Sequence, residues 1–217
     1  MRVAGWCGVA FVVLSFVIVG LSPFWPPAGA SAAEVVAYYR DHRMPFLIGN
    51  LTAIAAAVPS FGQIGGLCLV IKRGEGDDGW LWIAVLGSAL LAHAVGAVAL
   101  VAYQTVPFQL DAGQEAVAKG LNDFAGITFA SFLVLLSGFV GFSSWATFTT
   151  RALPRWFGML GVVVAALCLL GCAGALTVDP RWLAGGGIFC ASVTCLFFVW
   201  CAVLSVLFLR WPLPKAA

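Results

Sequence analysis

The sequence predicts an all-α polytopic membrane protein with six transmembrane helices and one amphipathic helix at the extracytoplasmic interface. Three observations predict it. The 217 residues are 62% hydrophobic and 9% charged, with a mean hydropathy of +1.04, whereas soluble domains average about 25% charged residues. Six apolar runs reach the roughly 20 residues that a bilayer crossing needs. The longest polar interruption, Ser31 to Phe46, carries a helix-start signal and one apolar face.

The spans are expected at about 3–22, 46–71, 80–104, 124–148, 156–177 and 183–209, with the interfacial helix at about 32–43, all in one domain over 1–217. Six crossings put both termini on one side. With the termini inside, the inner segments hold Arg2, Lys72, Arg73, Arg151, Arg155, Arg210 and Lys215, and the outer ones hold only Arg40, Arg43, Lys119 and Arg181. An excess of Lys and Arg marks the cytoplasmic side. The chain is therefore expected in the cell membrane with both termini in the cytoplasm. A net charge of +2 is too small for a nucleic-acid footprint.

The first helix follows Arg2. Its apolar run, Val3 to Leu21, and the small residues after it resemble a secretory signal, but 19 residues is long for one. It is read as a retained membrane helix, stopped by Pro23, Pro26 and Pro27. Ser31 and Glu34 then have the spacing of a capping box, in which each side chain satisfies a free backbone N–H of the helix start. On a helical wheel Ala32, Val35, Val36 and Tyr39 share a face opposite Glu34 and Asp41. That pattern describes a helix lying in the interface plane, ended by Pro45.

The second helix carries Asn50, Gln63 and Pro59, the last expected to kink it. The third carries His93 near its centre. Helix rise puts His93 and Pro59 at similar depths, about 18–20 Å from the cytoplasmic ends. Asp123 is expected to cap the fourth helix, whose stripe of Ser137, Gly141 and Ser144 suits helix packing. Asp179 and Arg181 lie in the turn before the sixth, which starts near Gly185. Arg2-x-x-Gly5-x-x-Gly8 is echoed by Arg155-x-x-Gly158-x-x-Gly161.

The seven cysteines lie in apolar runs, with no CxxC. They read as small core residues and not as a disulfide scaffold, although Cys168 and Cys172 share a helix face.

The stretch Leu153-Pro-Arg-Trp-Phe-Gly-Met-Leu-Gly161 and the closing Phe197-Phe-Val-Trp200 to Arg210 resemble a group of actinobacterial six-helix membrane proteins of unknown function. In that group an LPRW-x-G-x-x-G turn opens the fifth helix. The resemblance implies the architecture and no activity.

Two constellations are candidate sites. His93 is an ionisable residue in mid-membrane, which is costly and marks a functional position by default. It suits an acid–base residue, with Asn50, Gln63 or Asp123 assisting. A structural role is equally specific: His93 bonds the carbonyl freed by Pro59, or Gln63. A bis-histidine haem is not expected, because His42, the other histidine, lies about 20 Å away by helix rise. No cofactor or metal is expected. The second constellation is at the outer end. Tyr38, Tyr39, Arg40, His42 and Arg43 are expected over Asn50, Tyr103, Gln104, Asn122 and Asp123, with Gln63 deeper, as a ligand-binding vestibule. The arginines suit an acidic headgroup, and His42 with Asp123 suits an acid–base couple.

No P-loop, HExxH or GxSxG pattern is present. The leading functional expectation is a protein that binds a lipid or other apolar ligand, or docks a partner, at this outward-facing vestibule. The first alternative is an intramembrane enzyme acting on a lipid, isoprenoid or sterol-like substrate through His93. The second is a transporter or channel subunit. Expected partners are membrane lipids, with a membrane-protein partner or a second copy on the small-residue faces.

Overall fold

The structure, a computed structural model, describes residues 1–21, 25–77, 79–172 and 187–211. Within them the chain is helical and without strands, with elements α1 (Arg2–Leu21), α2 (Ala32–Asp41), α3 (Arg43–Glu75), α4 (Leu81–Asp111), α5 (Glu115–Thr150), α6 (Arg155–Cys172) and α7 (Ile188–Leu209). All but the ten-residue α2 are long and apolar enough to cross a membrane. The outward surface of the spanning helices is apolar: Val58 is 75% exposed and Met159 64%. Lipid, not water, suits such a surface.

Each spanning helix packs on its neighbour in sequence, and α7 returns against α1 to close the ring. Glycines permit the close crossings. A Cβ on Gly8 would collide with Ser205 and Gln63, and one on Gly161 would collide with Ser144. The two echoed glycine motifs thus both seat a neighbouring serine. The Ser144 side of α5 is buried, with Thr147, as small-residue faces are in membrane bundles.

Three helices outrun the bilayer. At 1.5 Å per residue, α3, α4 and α5 are about 46–54 Å long, against about 30 Å of hydrocarbon. At the end where α1 begins and α7 finishes, α3 continues to Glu75, whose carboxylate accepts from the N–H groups of Leu81 (3.0 Å) and Trp82 (3.1 Å) and so caps the next helix. At the other end the last turn of α4 and the first turns of α5 form a platform, and α2 lies on it.

The buried side chains fall into two clusters. The larger spans the bundle, with Leu67, Val85, Leu133, Trp200 and Phe208. The smaller sits under α2, with Val35, Tyr39, Phe46, Tyr103, Val106 and Ala118.

Several boundaries differ from those read in the sequence. The helix that carries the fourth span begins at Glu115 and not near 124. Residues 115–123 are too polar for a membrane core, but Ala118 and Asn122 are buried on one face of an ordinary helix. Asp123 is therefore mid-helix and not a cap. Pro45 does not end α2. The break is at His42, and Pro45 sits in the first turn of α3, where no backbone N–H is needed. The expected span ends at 177 and 183, Pro23, Asp179, Arg181 and Gly185 lie outside the described residues.

Candidate functional site

The α2 end is assembled from four parts of the chain. The Ser31 capping box forms as read: Ser31 N–H donates to the Glu34 carboxylate (2.8 Å), and Glu34 N–H donates to Ser31 Oγ (3.3 Å). This start directs Val35, Val36 and Tyr39 downward, all buried. Tyr39 meets Phe46 edge-on at 4.8 Å, and Trp25 meets both Phe46 (5.7 Å) and Tyr103 (4.6 Å). These four rings form an aromatic box. Asn50 lies one turn below Phe46 on the same side of α3, since positions four apart stack on a helix.

Polar contacts tie the box to the platform. Tyr39 Oη donates to Asn122 Oδ1 at 3.0 Å, and Asn122 Nδ2 donates to the Pro26 carbonyl at 3.2 Å. Burial, with Tyr103 and Tyr38 nearby, pushes the Tyr39 hydroxyl well above the ordinary tyrosine range. Asn50 Nδ2 donates to the Leu100 carbonyl (2.8 Å) and to Gln104 Oε1 (2.7 Å). Asp123 accepts from Gly29 N–H at 2.9 Å and pairs with Lys119, so it anchors the segment leading into α2.

The two arginines face the rim. Arg40 pairs with Glu115 at 3.3 Å, and Arg43 pairs with Asp111. Arg43 also lies over the Phe108 ring at 6.0 Å. These pairs are largely exposed and each stabilises by about 0–1 kcal/mol. They join α2 and the start of α3 to the two sides of the α4–α5 turn.

Among the described residues the space beneath α2 is filled and not open. The expected vestibule is occupied by the side chains of Tyr39, Phe46 and Tyr103. Surface depressions lie elsewhere, against Phe148, Met159 and Val163, and at the opposite end beside Glu75 and Thr150. Around the box, three polar atoms have no hydrogen-bond partner among the described residues, Trp25 Nε1, Tyr103 Oη and Asn50 Oδ1, and at the rim Arg43 Nε has none either. Tyr103 and Asn50 are both 0% exposed. Leaving a buried polar group unpaired costs about 1–3 kcal/mol, so three in one small core are conspicuous.

Some expected pairings are not made. His42 stacks on Tyr38 at 4.8 Å, and its Nδ1 lies 3.1 Å from the Tyr38 carbonyl, on the outer surface and away from Asp123. Gln63 does not meet His93. It turns to α7, donating to the Cys201 carbonyl (2.8 Å) and Ser205 Oγ (2.9 Å).

His93 is half-buried in the α3–α4 seam, under the Phe61 ring at 4.9 Å. Its Nδ1 lies 2.8 Å from the Ala89 carbonyl, which can only accept, so Nδ1 carries the proton. Its Nε2 lies 2.7 Å from Ser60 Oγ, and Ser60 Oγ lies 2.6 Å from the Ala57 carbonyl. Ser60 Oγ thus lies within hydrogen-bond distance of both Nε2 and the Ala57 carbonyl. The depth match with Pro59 puts His93 beside position 60, and its partner is the serine and not the carbonyl that Pro59 frees. No cluster of three or more metal-ligating side chains occurs among the described residues, and the seven cysteines are free.

No family model matches the chain, and no curated protein or solved structure matches it.

Proposed function

We propose that this multi-pass protein sits in the cell membrane with both termini in the cytoplasm, and binds a lipid or other apolar ligand beneath α2 at the extracytoplasmic end. The observation that carries the reading is the pairing of an aromatic box with three unpartnered buried polar atoms, under a short helix held at its rim by exposed ion pairs. Small-molecule sites are mostly apolar with a few placed polar groups. Ligand enters as α2 lifts, with the segment before Ser31 and the break at His42 as its two hinges. Docking of a membrane-protein partner on the same end is the second use of a surface that opens in this way.

An intramembrane enzyme centred on His93 has less support. Its expected helpers point elsewhere: Asn50 to α4, Gln63 to α7 and Asp123 to Lys119.

The test is purification in native lipid followed by mass spectrometry of retained molecules, for the parent protein, His93→Ala and Tyr103→Phe. A ligand kept by the parent and His93→Ala but depleted in Tyr103→Phe supports the reading. A ligand lost only in His93→Ala moves the site to the α3–α4 seam. The orientation is checked separately by a reporter fused to the C-terminus, active only in the cytoplasm.

A further inference from the structure

We infer that the ligand's polar group is neutral and hydroxyl-like, carried on an apolar chain, and that Arg40 and Arg43 are latches and not headgroup binders. This rests on the reading that a ligand binds beneath α2.

The hydrogen-bond inventory selects the class. Trp25 Nε1 is a donor only, the Tyr103 hydroxyl has a proton to give, and Asn50 Oδ1 is an acceptor only. The Asn50 assignment is fixed because its Nδ2 faces the Leu100 carbonyl, which can only accept. The box therefore offers two donors and wants one. An alcohol has one O–H to give and two lone pairs to receive, so the chemistry of a hydroxyl matches what the three atoms lack. A carboxylate or phosphate only accepts. It would leave Asn50 Oδ1 unpaired and bring a charge among Trp25, Phe46, Tyr39 and Tyr103, where burial without a counter-ion is costly. The nearest cations, Arg40 and Arg43, sit at the rim and give one guanidinium nitrogen each to Glu115 and Asp111, while Arg43 Nε has no partner. Lys119 is paired with Asp123. A hydrocarbon fills the box but answers none of the three polar atoms.

The experiment uses the full-length protein in lipid nanodiscs and three photoreactive probes of equal chain length: a primary alcohol, its phosphate monoester and the plain hydrocarbon. Crosslinked peptides are identified after irradiation. The alcohol is expected to label the segments around Trp25 and Phe46 saturably, at least about tenfold more strongly than either other probe, since each unpaired buried polar group is a discrimination of that order. Glycerol at the same concentration is expected not to displace it, because the apolar chain supplies the contact with the rings. Tyr103→Phe and Asn50→Ala are expected to reduce the alcohol's labelling towards that of the hydrocarbon. Arg40→Gln/Arg43→Gln is expected to retain or increase it. Unchanged circular dichroism and elution profile establish that each variant is folded, and Trp25→Phe replaces any that is not.

Equal saturable labelling by alcohol and hydrocarbon overturns the inference while leaving an apolar site beneath α2. Stronger labelling by the phosphate ester, lost in the double arginine variant, overturns it in favour of an anion site at the rim. Displacement by glycerol shows a small polyol site and overturns the lipid assignment. No saturable labelling of these segments by any probe removes the binding site itself.

Discussion

The Tyr39 hydroxyl donates to Asn122 Oδ1 at 3.0 Å, joining α2 to α5 across 83 positions of sequence. Both groups are buried, so the bond ties the short helix to the bundle where water does not compete. Tyr39→Phe keeps the ring contacts and strands the amide oxygen. The expected loss is about 1–2 kcal/mol, a factor of about 5–30 in the opening equilibrium. Hydrogen exchange of the α2 amides measures it. Unchanged exchange would mean that the hydroxyl does not hold α2 down.

The same hydroxyl makes the α2 end sensitive to alkali. Its proton is held more tightly in the folded state than in the unfolded chain, because burial penalises the phenolate. A group with a raised folded pKa contributes its full share below the unfolded value, about 10 for tyrosine, and loses it as pH rises towards the folded value. Ultraviolet titration is expected to show no tyrosinate from Tyr39 until pH is well above 10, together with loosening of α2. A Tyr39 signal near 10 with α2 still in place would contradict the packing beneath it.

The rim pairs respond to salt. Arg40–Glu115 and Arg43–Asp111 are exposed, and screening weakens exposed pairs as the Debye length falls from about 10 Å at 0.1 M to about 3 Å at 1 M. Exchange in α2 is expected to rise by a few-fold over that range in the parent and not in Arg40→Gln/Arg43→Gln. A variant with the same salt response as the parent would show that the pairs are incidental.

Two adjacent glycines give a sharp contrast. Nothing lies within 4 Å of a Cβ placed on Gly65, whereas one on Gly66 collides with Ala4 of α1. Gly65→Ala is expected to be neutral or to stabilise α3 by up to about 1 kcal/mol, the helix-propensity difference. Gly66→Ala is expected to destabilise by about 1–3 kcal/mol, as overpacking does. Thermal unfolding in detergent compares them directly, and similar midpoints would refute the α1–α3 crossing.

The six spans and α2 are legible in the sequence for simple reasons. Spanning runs are set by bilayer thickness, and the Ser31–Glu34 box and the Val35–Tyr39 face are local patterns. What was illegible depends on helix rotation and distant partners. Asp123 looks like a cap because aspartate is a good one, yet its partners are Lys119 one turn back and Gly29, 94 positions away. Gln63 was expected near His93 because both lie on neighbouring helices. Its amide instead passes over Gly8, where any side chain would block it, to reach α7. Arg40 and Arg43 read as headgroup binders because Asp111 and Glu115 fall between the expected spans, where the sequence assigns them no partner. The extension of α4 and α5 beyond the membrane core is what brings those acids under them.

The closure of the ring by α7 bears on how the chain is made. Gln63 is inserted with α3, but the Cys201 carbonyl and Ser205 hydroxyl that receive its amide protons come from the last helix to be synthesised. Until then its carboxamide is in hydrocarbon without those partners, a state that costs several kcal/mol. A chain cut short before α7 lacks both of those partners. The hydrogen bonds between α3 and α7 thus distinguish a finished polypeptide from an unfinished one, inside the membrane itself.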